Sequence, residues 1–479
     1  MEFKDLRDWM GQADSMGELK TLKGCDWNLE IGAITELVMR RDDGPAVLFD
    51  EIKGYPKGYR LLANSLSTRN RIGLTLNIPP GESKMEFVNS WRERYKKIKP
   101  IPPKVVKAPP VLENVYEEKD IDLFKFPTPK WHEHDGGRYI GTGSIDITQD
   151  PDEGWINWGT YRVMIHDEKT VGFYISPGKH GRIQRDKYLN SGRPCKMAMS
   201  FGHDPLVFLA GSLEVPYGVP EYEFIGGVRD EPLEVFKGEY SGLTIPASAE
   251  IVVEGDVIFD ATRSEGPFGE WTGYYASAER HEPIVKIKRL YHRNNPILLG
   301  SPPGRPPVEL GWYRSYLRSA LIWDEMEKAG VPDVKGVWLM VAGGSRLILV
   351  VSIKQRYPGH AKQAAVIASQ CHAGAYLGRY VIVVDDDIDP SVTDDVLWAM
   401  ATRSDPATDI DIIRRCWSGP LDPIIHPSNK GLNSRAIIDA CRPFEWMKDF
   451  PPVAESSRDV LQATSKKWGK ILFSGNGKA

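Results

Sequence analysis

The chain has 479 residues, 41% of them hydrophobic and 26% charged, with a formal net charge of −4. That balance belongs to ordinary globular proteins and excludes wholesale disorder, and without clustered surplus cations it gives no reason to expect a nucleic-acid partner. No apolar run approaches the roughly 20 residues that span a bilayer, and five scattered cysteines with no C-x-x-C pair point to reduced thiols and a cytoplasmic setting.

From Asp5 to about Leu76 the pattern is α/β. Leu6, Trp9 and Met10 are spaced for one helix face, Ile31, Ile34, Leu37 and Val38 for another, and residues 46–49 (AVLF) read as a short buried strand. Residues 97–110 contain five prolines, which forbid helix and favour an extended crossing, so the first unit is expected to cover residues 1–110. Residues 111–307 are strand-rich: 251–255 and 284–291 alternate between Gly and Pro clusters, as in an antiparallel barrel or sandwich. The proline-rich 301–307 closes that unit. In residues 308–479 a strand at 346–352, a helix from about 361 to 377 and a strand at 380–384 predict a parallel pair. Asp385, Asp386 and Asp387 follow, read as an acidic turn leading into a helix capped near Thr393 rather than as a metal site.

Four clusters in the strand-rich unit could carry chemistry. They are 157–162 (NWGTYR), 176–183 (SPGKHGRI), 218–227 (GVPEYEFIGG) and 264–275 (SEGPFGEWTGYY). Asn157, His180 and Glu221 offer an amide oxygen, an imidazole and a carboxylate. This mostly oxygen set suits Mn²⁺ or Mg²⁺ bridging to a phosphate better than zinc. A glycine beside His180 would let the backbone approach such a phosphate. Glu265 and Glu270, held among Phe268, Trp271, Tyr274 and Tyr275, should lose hydration, which favours the neutral acid and raises its pKa toward the working pH. Arg162 supplies the planar donor fork a carboxylate substrate needs. Asn157 and Arg162 have opposite parity on a strand, so both reach one pocket only if the strand ends or bulges between them.

The series N-W-x-x-x-R, K-H-G-R-I, G-x-x-E-Y-x-F and E-G-P-F-G-E, in this order, resembles the UbiD family of prenylated-FMN-dependent decarboxylases over essentially the whole chain. The resemblance implies an α/β amino-terminal unit, a central split β-barrel like that of flavin reductases, and a carboxyl-terminal α/β unit that drives dimer or hexamer formation. It implies metal ligation by Asn157, His180 and Glu221, with Mn²⁺ or Mg²⁺ and a place for K⁺. It also implies cofactor contacts at Thr160, Tyr161, Arg162, Lys179, His180, Ser212, Leu213, Glu221 and Lys430, and a catalytic network of Arg162, Glu265 and Glu270. Arg162 would orient the substrate carboxylate, Glu270 would deliver the proton that replaces CO₂, and a flavin prenyltransferase would supply the cofactor. Polyprenyl-hydroxybenzoate members tend to carry aspartate where this chain has Glu270. With Trp271 after it, the signature is more like that of members acting on simple aromatic acids. A split-barrel FMN reductase is the competing enzyme reading, but no G-x-G-x-x-G lies between a strand and a helix to hold a nicotinamide. A flavin-binding or assembly protein without catalysis is the other alternative, and it leaves the Arg-Glu-Glu set unexplained.

Overall fold

A computed structural model describes residues 3–213, 218–276, 278–429 and 431–472. The fold is mixed α and β, built on sheets of four, nine, three and five strands. In the first sheet, Leu19–Lys23 pairs in parallel with Ala46–Asp50, which runs antiparallel to Arg60–Ala63. Ile297–Gly300 then adds in parallel to Arg60–Ala63, so a strand more than 230 residues downstream completes the amino-terminal sheet. The helix Glu30–Met39 forms as expected but buries Ile31, Thr35 and Met39, while Leu37 is 71% exposed.

The proline-rich crossing is extended, and Lys104–Val105 pairs in parallel with Glu234–Lys237. The central nine-stranded sheet is antiparallel throughout. Its longest strands, Ile251–Glu265 and Arg280–His292, pair along their length with register shifts at Glu254/Gly255 and Ile258/Thr262, where bulges bend the ladder. Alternation along Ile251–Glu265 sends Val252 into one apolar cluster and Ile251, Val253 and Val257 into the other, so both faces of the sheet are buried.

In the carboxyl-terminal sheet Ile348–Ile353 and Tyr380–Asp385 are parallel neighbours, as the strand, helix, strand pattern requires. The intervening helix differs from expectation. It runs His360–Gln370, stops where Cys371 turns extended, and resumes as the short His372–Ala375. Thr393 is the first residue of the helix Thr393–Arg403 and not its cap, a position held by Val392. The acidic turn before it is neutralised by arginine: Arg403 pairs with Asp385 and Asp387, and Arg442 pairs with Asp385. All five cysteines are free thiols. Among the described residues no helix is long and apolar enough to cross a membrane.

Candidate active site

The strand Ile156–Gly159 sits at one end of the nine-stranded sheet, paired with Ile145–Gln149 so that Asn157 faces Thr148 and Gly159 faces Asp146. The strand stops at Gly159. The Thr160 amide donates to the Gly211 carbonyl at 3.0 Å, and the Tyr161 amide donates to Asp146 Oδ2 at 2.9 Å. Arg162 then bridges to Tyr174 as an isolated pair. This break removes the parity conflict between Asn157 and Arg162. The Tyr161 hydroxyl is the local hub: Asn157 Nδ2 donates to it at 3.4 Å and the Gly181 amide at 3.1 Å. A Cβ at Gly159 or Gly181 would stand 2.3 or 2.7 Å from that oxygen. The Tyr161 ring thus fills the space a side chain at Gly181 would need.

His180 opens the helix His180–Ser191, with Lys179 exposed at its cap, and its ring meets Trp155 edge-on at 5.0 Å. Glu221 opens the helix Glu221–Arg229 and is 4% exposed. Its Oε2 accepts from the Trp158 amide at 2.7 Å, and burial pushes its carboxyl up to about 7. Ser212 ends the helix Pro205–Ser212, where its hydroxyl donates to the Leu209 carbonyl and accepts from the Tyr313 hydroxyl, both at 2.9 Å. Leu213 is half-buried beside it. Lys430 lies outside the described residues.

Two observations fit a bound phosphate and cation here. The Thr160 hydroxyl is buried without a hydrogen-bond partner among the described residues, next to Gly211. The buried Glu221 carboxylate has no cation within salt-bridge distance among them either, which a divalent ion would supply. No group of three or more His, Cys, Asp or Glu gathers among the described residues. A metal held by Asn157, His180 and Glu221 would therefore need outside oxygens to complete its shell, as Mn²⁺ and Mg²⁺ take from phosphate and water.

Beside this group, Arg162 lies between the two signature acids. Its Nη2 is 2.7 Å from Glu265 Oε2 and its Nη1 is 2.9 Å from Glu270 Oε1. Glu265 ends the strand Ile251–Glu265 with 0% exposure, and the Glu270 side chain is 13% exposed, so neither is a surface turn acid. Burial raises the Glu270 carboxyl to about 7, against the opposing pull of Arg162 and Arg280. The aromatic shell is not the one the loop sequence suggests. Tyr274 and Tyr275 are 63% and 37% exposed, whereas Phe268 and Trp271 are buried. The remaining rings come from elsewhere: Tyr139 stacks on Phe268 at 3.8 Å and its hydroxyl donates to Glu265 Oε1 at 3.1 Å. The Arg162 guanidinium lies 4.5 Å from the Tyr174 ring and 5.7 Å from Phe268. Tyr139 and Tyr174 carry no mark in sequence, since Tyr174 meets Arg162 through an isolated bridge and Tyr139 meets Phe268 and Glu265 only in the folded chain.

The amino-terminal, Rift-related and carboxyl-terminal domains of 3-octaprenyl-4-hydroxybenzoate carboxy-lyase, which define UbiD, match residues 11–91, 104–306 and 312–440. The chain is 32% identical over 480 residues to pyrrole-2-carboxylic acid decarboxylase of Pseudomonas aeruginosa, covering 97% of this chain and 96% of that one. The vanillic acid decarboxylase of Sedimentibacter hydroxybenzoicus in open form matches with a TM-score of 0.84 at 32% identity, over 98% of this chain and 100% of that one. The UbiD-class enzyme HmfF of Pelotomaculum thermopropionicum, solved with FMN, matches with a TM-score of 0.84 at 29% identity, over 95% and 98% of the two chains. An evolved dimeric form of HmfF has been solved with prFMN.

Proposed function

Because the chain belongs to the UbiD family of decarboxylases, we propose that it catalyses reversible, non-oxidative decarboxylation of an aromatic, heteroaromatic or α,β-unsaturated carboxylic acid with prenylated FMN. The observation that carries this reading is the buried Arg162 held between Glu265 and Glu270, with Glu270 poised near neutrality.

Removing CO₂ from such an acid breaks the bond between the ring or vinyl carbon and the carboxyl carbon and leaves an electron pair in an orbital with no conjugated sink. The bound flavin supplies that sink, which no side chain can. Asn157, His180 and Glu221 would hold Mn²⁺ or Mg²⁺ against the cofactor phosphate, with K⁺ as an accessory ion. Thr160, Tyr161, Arg162, Lys179, His180, Ser212, Leu213, Glu221 and Lys430 would line the cofactor. Both Nη groups of Arg162 are engaged by glutamates, while its Nε is buried without a partner among the described residues. That donor is available to a substrate carboxylate. Glu265, fixed by Tyr139, keeps the guanidinium oriented. Glu270, neutral below about 7, donates its proton to the carbon that CO₂ leaves and is reprotonated from solvent.

The three units expected at residues 1–110, 111–307 and 308–479 share strands, since Ile297–Gly300 completes the amino-terminal sheet, and the middle one would be a split barrel of the flavin-reductase kind. The last drives formation of a homodimer or homohexamer in the cytoplasm, with the cofactor supplied by a flavin prenyltransferase. The fit of the signature to small substrates favours simple aromatic acids. Incubating the holoprotein with a panel of such acids in D₂O should release CO₂ and leave one deuterium at the former carboxyl position; CO₂ release from none of them would remove the reading.

A further inference from the structure

The loop 266–276 carries Glu270 at the start of a tight turn, in which the Gly273 amide donates to the Glu270 carbonyl at 2.8 Å and the Glu270 amide donates to the Tyr274 carbonyl at 3.1 Å. The turn packs closely on one side, where a Cβ on Gly273 would stand 2.7 Å from the Arg305 Cα and the Trp271 ring is buried. On its outer side lies a cavity of about 380 Å³ lined by Gly269, Gly273 and Tyr275 of the loop and by His132, His134 and Arg305 opposite. The middle of the loop is held by Arg162 on Glu270 and by Gly344 against the Trp271 ring, and its two ends are gripped by one short segment, residues 132–139. At the near end the Gly136 amide donates to the Pro267 carbonyl at 2.9 Å, and a Cβ on Gly136 would stand 2.0 Å from the Gly266 carbonyl oxygen, so only glycine permits the approach. Tyr139 adds its stacking on Phe268 and its hydrogen bond to Glu265. At the far end the Tyr275 hydroxyl donates to Asp135 Oδ1 at 3.1 Å. Asp135 is itself fixed, being 3% exposed and accepting from the His132 amide through Oδ2 at 2.9 Å. Glu270, paired with Arg162, thus lies between two end anchors of the loop that belong to a single segment.

We propose that Asp135 and Tyr275 are positioning residues, which hold the far anchor of this clamp and so set where the Glu270 carboxyl points. The catalytic part of this inference rests on Glu270 being the proton donor; the mechanical part does not. Neither residue touches the reacting atoms. A misplacement of about 1 Å at a reacting group costs up to about a hundredfold in rate, so releasing one anchor should be felt mainly in kcat.

The test compares Asp135→Asn and Tyr275→Phe with the unaltered protein. Hydrogen–deuterium exchange on the purified full chain should show the amides of 269–275 exchanging at least several-fold faster, with peptides from the Val334–Leu339 and Ile348–Ile353 strands unchanged. In the flavin-loaded enzyme kcat should fall about tenfold or more while KM stays within about twofold and the bound flavin is retained. Unchanged loop exchange in both variants, exchange rising equally throughout the chain, or a loosened loop with full kcat would each overturn the proposal. Should Asp135→Asn not fold, Tyr275→Phe, which keeps the ring and deletes one hydroxyl, decides alone. Full activity in Glu270→Gln would defeat the donor reading instead, and the exchange experiment would still judge the clamp.

Discussion

Replacing Glu270 with glutamine separates proton donation from packing. The amide oxygen can still accept from Arg162 Nη1, as Oε1 does at 2.9 Å, and the turn around residue 270 is closed by backbone bonds, so the loop should hold its shape. What is lost is a transferable proton, and kcat should fall about 10² to 10⁴-fold, equivalent to roughly 3 to 5 kcal/mol. Stability should move the other way. The folded protein raises this carboxyl from 4.5 to about 7 through burial, which corresponds to roughly 3 kcal/mol against the ionised form. Because the folded pKa lies above the unfolded one, the wild type has its full stability below 4.5 and loses it as pH rises through about 7. Glutamine does not titrate. The stability of Glu270→Gln relative to wild type should therefore improve by roughly 2 to 3 kcal/mol between pH 5 and pH 8. CO₂ release under substrate saturation and denaturation at the two pH values measure both effects. Wild-type turnover in the variant would remove Glu270 as proton donor, and a stability difference that stays flat or reverses with pH would remove its raised pKa.

In the wild type kcat should be level at acid pH and fall about tenfold per pH unit above about 7, as the donor ionises. Arg280 helps to hold the Glu270 pKa down, so Arg280→Gln should move that limb to higher pH, which a pH–rate profile will show. His180→Ala should lower both metal and flavin content of the purified protein, read by elemental analysis and flavin absorbance; full retention would remove His180 from the ligand set. Gly159→Ala would place a methyl 2.3 Å from the Tyr161 hydroxyl, and by displacing that ring should cost about 1 to 3 kcal/mol of stability and weaken flavin retention.

Much of the local structure was legible because it depends on local pattern. Helix spacing in Leu6, Trp9 and Met10, proline density in 97–110 and β-branched runs at 348–353 and 380–385 all act within a few residues. The chemistry-bearing residues were legible as types for the same reason, since glycine-framed acids and an N-W-x-x-x-R run stand out in any chain. What could not be read was set by long-range pairing. Ile297–Gly300 reads as one more central strand until its partner Arg60–Ala63 is known. The aromatic surroundings of Glu265, Arg162 and Glu270 looked to include Tyr274 and Tyr275 because they are adjacent to the acids in sequence. The turn at Gly273 carries them outward, and the buried positions go to Tyr139 and Tyr174 from other strands and bridges. Arg403 and Arg442, which neutralise the acidic turn after Tyr380–Asp385, lie too far along the chain to be matched to it by pattern.

A prenylated flavin held in this fold would supply the electron sink for loss of CO₂. The decisive experiment is to purify the protein from cells with and without a flavin prenyltransferase, weigh the released cofactor by mass spectrometry, and assay the same samples for CO₂ release from aromatic acids. The first preparation should give a prenylated FMN mass and turnover, and the second neither. A protein that retains no flavin from either host, or that releases CO₂ equally well with and without the prenylated cofactor, would contradict the flavin's role as that sink.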